Sequence, residues 1–189
     1  MSTGGFGLPL IGLVMVIISC MNRRHFILTQ FGLFTGVAMA DTPKVQSLDD
    51  ALRWLDRLEK ATHVKSTTAW KMEAVFEHLA QSIEMSLDGF PQPKSALFQN
   101  TVGAAAFAMF KWRGKMSHGL TDPIPGAPEL VQSDNWKPGA QRLRDAITRF
   151  NGHTGPVKPH FAYGVVSRRD FALAHALHIA NHQDEILVG

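Results

Sequence analysis

From Asp41 to the last residue, apolar side chains recur at three- and four-residue intervals, and the two-residue alternation of a half-buried strand is almost absent. That period restricts the chain to packed helices. Five segments carry start or stop signals. Ser47, with Asp50 three residues on, resembles a capping box ahead of the stripe Leu52, Trp54, Leu55 and Leu58. Ser66, Thr67 or Thr68 is expected to cap a second helix that runs to Asp88 and stops at Gly89 and Pro91. A third is expected over 95–113, rich in alanine and phenylalanine and ended by Gly114. A fourth covers 138–150, and Ser167 with Asp170 caps a last one reaching Leu187. The fold class this predicts is all-α: an antiparallel four-helix bundle with an additional short helix and a long Pro/Gly loop over 115–137. Loops of that length in a compact domain are more often functional than idle, so this one is expected over the open end of a site.

The first forty residues read as an address rather than as part of that bundle. Nothing from Met1 to Asn22 is charged. Arg23 and Arg24 then precede a second apolar run through Val37 and a small-residue site at Ala38-Met39-Ala40. Read from Met21, this is an export signal with cleavage expected after Ala40. The arginine pair followed by x-Phe-Ile resembles a twin-arginine signal, although Asn22 departs from the usual pattern. Met1 and Met21 both remain candidate starts. A lipobox reading of Ile17-Ile18-Ser19-Cys20 and a reading of both apolar runs as membrane spans rank behind the cleaved signal. The expected organisation is a leader over 1–40 and a domain over 41–189, exported to the periplasm and touching membrane only through an uncleaved leader.

Composition removes several classes. Cys20 is the only cysteine, which excludes a disulfide scaffold, a cysteine zinc finger and a cysteine nucleophile in the domain. Of 19 basic residues two lie in the leader, leaving the domain nearly balanced against 16 acidic ones and arguing against a nucleic-acid partner. No G-x-S-x-G frame and no phosphate-binding glycine loop is present.

What the chain has in excess is histidine, nine against a single tyrosine. His175, His178 and His182 fall within an arc of about 60° on the last helix, on the side shared by Phe171 and Ala174. His78 shares a mixed face of the second helix with Ala74, Val75, Ser82 and Met85. A pair at i and i+4 on one helix with a third imidazole from a facing helix makes a workable metal site with an open position, where bound water can be polarised. Histidines that only hydrogen-bond in the core would give the same spacing. Ile179 stands where the glutamate of H-E-x-x-H would be, which excludes a metalloprotease of that kind. His160 and Tyr163 lead into the last helix, His118 heads the long loop, and Glu185 falls on the histidine face one turn past His182. Each is a candidate for the pocket or for orienting a ligand. Trp54, Trp70, Trp112 and Trp136 are expected in the core or in a groove.

The segment from Glu77-His78-Leu79-Ala80-Gln81-Ser82-Ile83-Glu84 to Gly89-Phe90-Pro91 is similar to the DUF1569 family, a branch of the DinB/YfiT-like metalloenzymes. Pro125-Gly126-Ala127-Pro128, Pro159-His160-Phe161-Ala162-Tyr163-Gly164 and the His178-x-x-x-His182 helix carry the same resemblance, which covers essentially Ser47 to Glu185. It implies an up-down-down-up bundle and a three-histidine divalent metal site at His78, His178 and His182, leaving His175 aside. The wider superfamily includes thiol-dependent transferases and a maleylpyruvate isomerase. The expected ion is zinc or nickel, with manganese or iron as alternatives. The functional expectation is an exported metal-dependent hydrolase or thiol-type transferase acting on a small molecule, with a homodimer as a further expectation. Export favours hydrolysis over use of a cytoplasmic thiol. The rival is a non-catalytic periplasmic bundle that stores or senses metal or serves as a structural module.

Overall fold

The computed structural model describes residues 43–189. The leader, Cys20 and both candidate starts lie outside the described residues. Helix α1, Leu48–Glu59, begins where Ser47 takes extended backbone and its hydroxyl accepts the Asp50 amide at 3.1 Å. The Asp50 carboxylate accepts the Gln46 amide at 3.2 Å, so donors on both sides of the cap are satisfied. Leu48, Ala51, Trp54, Leu55 and Leu58 form its buried stripe.

Helix α2, Met72–Asp88, starts behind Lys71 with no side-chain cap. The expected caps are engaged elsewhere. Ser66 ends a short strand, β1, Val64–Ser66, and the Thr67 and Thr68 hydroxyls both donate to Glu185. Gly89 ends α2 with φ +114°, a conformation open to glycine and strained for other residues.

The third helical stretch, α3, covers 96–113: a turn at Ala96–Phe98, a π-helical turn at Gln99–Gly103, and α-helix over Ala104–Arg113. Ser95 caps it and Gly114 closes it, as the sequence predicts. It nevertheless lies outside the four-helix core, and of its residues only Gly103 and Phe107 are buried. This stretch, with ten residues of regular α-helix, is the additional helix of the fold. It leaves Leu97, Val102 and Met109 exposed. Gly103 lies against the 160–164 turn so closely that a Cβ there would fall 1.9 Å from the Ala162 carbonyl oxygen. Trp112 is 82% exposed on α3, contrary to its expected place in core or groove. Trp54 is core, and Trp70 and Trp136 pack partly buried against it.

Helix α4, Lys137–Gly152, has proline in its first turn, and α5, Arg168–Gln183, is capped by Ser167 as predicted. The chain does not continue helical to Leu187. Asp184 is the C-cap of α5, and Ile186–Val188 forms β2, antiparallel to β1 with Val64 opposite Val188 and Ser66 opposite Ile186. Three-residue strands are too short to show alternation, so nothing in the period announced them.

Helices α1, α2, α4 and α5 form the bundle, with α2 against both α4 and α5 and α1 bridging the same pair. Trp54, Phe76, Phe150 and Phe171 fill its centre. Arg142 of α4 holds the Glu84 carboxylate of α2 through two hydrogen bonds of 3.0 and 2.8 Å. Among the described residues, no helix is long and apolar enough to cross a membrane.

Candidate metal centre

Helices α2 and α5 bring His78, His178 and His182 together. One ring nitrogen from each lies within 4.8 Å of the others, and all three residues are buried. Helical spacing places His178 and His182 one turn apart, and the packing of α2 on α5 sets His78 opposite them, with Nε2 of His78 and His178 only 3.1 Å apart. The three pairs of ring centroids are separated by 5.0, 5.1 and 5.0 Å. Rings bound through nitrogen at ~2.0–2.1 Å to one tetrahedral ion bring their centroids about 5 Å apart.

The outer nitrogens determine which inner ones carry lone pairs. Glu185 Oε1 lies 2.5 Å from His182 Nδ1. A carboxylate accepts, so His182 Nδ1 carries a proton turned towards Glu185, and Nε2 faces the cluster. That Nε2 is buried with no hydrogen-bond partner among the described residues, and so is His78 Nδ1. Ser82 Oγ is 3.2 Å from His178 Nδ1, which leaves His178 Nε2 facing the cluster. Burial pushes the His178 imidazole well below its ordinary value, with His78 and His182 adding to the effect. Burial, followed by His182 and His118, lowers His78 to about 3. Three imidazoles with converging ring nitrogens suit a divalent cation that prefers nitrogen ligands, whereas hard oxygen-seeking ions are a poor match. Leaving a buried polar nitrogen unpaired costs about 1–3 kcal/mol, a cost that a bound cation removes at His182 Nε2.

Glu185 is itself buried. Besides His182, its carboxylate takes the Thr68 hydroxyl at 2.6 Å, and its backbone carbonyl takes the Thr67 amide at 2.8 Å. The sequence placed Glu185 on the histidine face of a helix. It reaches the same neighbour from just past the helix end, on the turn into β2. Ser82 and Thr68 are orienting groups that the sequence reading missed. Their signal was present, since Ser82 lies four residues after His78 on one face, but it gave no indication of a partner.

Beside the cluster is a cavity of about 310 Å³ lined by His78, His178, His118, His160, His175 and Tyr163 among others, with Lys94 and Asp122 contributing charge. His118, from the long loop, sits over the three rings with centroids 4.7 Å from His178, 5.3 Å from His182 and 6.5 Å from His78. Burial lowers its imidazole below the ordinary value, opposed by its bond to the Gly119 carbonyl. His175 stands outside the triad. Ser86 Oγ donates its proton to the Ile83 carbonyl at 2.6 Å and so accepts from His175 Nε2 at 3.1 Å. His160 Nδ1 accepts the Ala162 and Tyr163 amides at 3.1 and 3.2 Å, and its ring stacks on Tyr163 at 4.1 Å. Burial lowers both His160 and His175 to about 3 and raises Tyr163 to about 12. Tyr163 therefore serves as neutral cavity wall.

The fold and site define a helical bundle whose buried three-histidine cluster is able to coordinate a divalent metal ion. The chain belongs to DUF1569, described as a family of unknown function, whose sequence profile matches residues 40–187. No curated protein and no solved structure matches the chain.

Proposed function

We propose that this protein is an exported metal-dependent enzyme in which His78, His178 and His182 hold one divalent ion, zinc or nickel first, beside a small-molecule cavity. The supporting observation is the convergence of three imidazoles, two of them with outer nitrogens oriented by Glu185 and Ser82, and with unpartnered nitrogens left over. Kinship with the DinB/YfiT-like metalloenzymes belongs to the same proposal. The ion would supply Lewis acidity towards a substrate carbonyl, a water or a thiol. Of the two reaction classes, hydrolysis fits an exported protein better than transfer from a cytoplasmic thiol.

The residues around the cavity have separable tasks. Glu185 and Thr68 fix the orientation of His182, and Ser82 that of His178. Phe161, Tyr163 and Ile124 give the cavity apolar walls, and a volume of about 310 Å³ is at the small end of ligand pockets. The test is metal content by elemental mass spectrometry on the purified protein beside a His178→Ala/His182→Ala double variant. Stoichiometric metal in the parent and none in the variant is expected. A parent that refuses zinc, nickel, manganese and iron on titration overturns the reading. The rival, a non-catalytic metal-binding bundle, predicts a bound ion with no position that a small molecule can reach.

A further inference from the structure

We propose that His118 is an exchangeable fourth protein ligand, delivered by the long loop to the ion held by His78, His178 and His182. This inference rests on the metal reading above and decides whether the ion has an open position.

The ring of His118 is spaced from His178 and His182, at 4.7 and 5.3 Å, much as the triad rings are from one another at 5.0 to 5.1 Å. A fourth ring completing a tetrahedral set would be expected at that spacing. Its Nδ1 lies 2.8 Å from the Gly119 carbonyl oxygen, which can only accept, so the proton sits on Nδ1 and Nε2 keeps its lone pair. Glu185 likewise holds a proton on His182 Nδ1.

His118 nevertheless stands off from His78 at 6.5 Å and is outside the set of nitrogens within 4.8 Å of one another. The loop explains how that gap can close. Its second half is stitched to α2: the Glu77 carboxylate accepts the Val131 amide at 2.8 Å, the Gln81 amide donates to the Pro128 carbonyl at 3.1 Å, and the Glu73 amide donates to the Ser133 carbonyl at 3.2 Å. The first half, 115–122, is tied to the bundle among the described residues by one long bond, from the Asn181 amide to the His118 carbonyl at 3.5 Å. Met116 and Ile124 are buried on either side, so the segment moves about two apolar anchors. Asp122, Pro123 and Ile124 of the same loop line the cavity, so a molecule that fills the cavity presses on the segment carrying His118.

The test compares the parent with His118→Ala and His118→Asn, both loaded with zinc and with cobalt. X-ray absorption on the zinc forms is expected to count four imidazoles in the parent and three in either variant. Visible absorption of the cobalt forms is expected to show azide binding at least tenfold more tightly to the variants. Circular dichroism checks that both variants fold. Equal imidazole counts and equal azide affinity in parent and folded variants overturn the role of His118 while leaving the triad intact. A parent that takes up neither metal overturns the triad, and the role of His118 with it.

Discussion

Two groups of histidines lie on and beside the α2–α5 interface and differ in what their nitrogens find there. His175 and His160 are bonded into the fold, one through Ser86 and the other through two backbone amides. His178 and His182 lie one and two turns further along the face of α5 that carries His175, with His78 opposite them on α2, and His78 and His182 each leave a nitrogen without a partner. Burial and periodicity do not separate the groups, since His175 and His182 are both buried and both on the predicted arc. The separating property is hydrogen-bond satisfaction. A buried histidine whose nitrogens are partnered is structural, and a cluster that aims lone pairs at one point calls for a cation.

The sharpest way to break this comparison is to delete ligands from one group only. The His178→Ala/His182→Ala variant should lose stoichiometric metal entirely, whereas His175→Ala should retain it, both read by elemental mass spectrometry. Loss of metal from a folded His175→Ala protein would dissolve the distinction. Next in size is Glu185→Ala, which frees His182 and strands the Thr68 hydroxyl. We expect metal affinity to fall about 10–100-fold in competition titrations. Zinc at about a hundred times its dissociation constant should stabilise the parent by about 2.7 kcal/mol, raising the melting temperature by about 5–10 °C. The double variant should show no rise.

The bonded group is sharpened by acid. His160 and His175 are held near 3 in the folded protein, below the ordinary value of 6.5, and in metal-free protein His78 is held there with them. The unfolded chain therefore binds more protons between those limits, and folding stability should fall as pH drops from about 6.5 towards 3, by up to about 1.4 kcal/mol per pH unit for each ring. Denaturant melts of metal-free protein at a series of pH values measure the slope. His175→Phe, which removes one titrating ring, should flatten it. The smallest expected effect is at Trp112, where Trp112→Ala on the exposed side of α3 should shift stability by less than about 0.5 kcal/mol.

Much of the bundle was legible because its signals are local. Ser47 and Ser167 cap where their sequences predict, and Gly89 and Gly114 stop helices as expected. The i, i+4 spacing of His178 and His182 was equally readable, although choosing them over His175 took a family resemblance. What the sequence hid depends on contacts made at a distance. Ser66, Thr67 and Thr68 look like helix caps and instead serve a strand and a distant carboxylate. Rich in alanine and phenylalanine, α3 has the composition of a bundle helix, yet it lies outside the core with Leu97, Val102, Met109 and Trp112 exposed. His118 reaches the triad along a loop whose conformation no period encodes.

The pairing of β1 with β2 has a consequence for when the site matures. Thr68 and Glu185 meet across 117 positions, and the strands beside them close a loop of similar span. His78 and His178 meet across 100 positions, so both closures cost nearly the same chain entropy. The three imidazoles and the carboxylate that orients His182 therefore come together at a similar stage of folding, and the site matures as one unit.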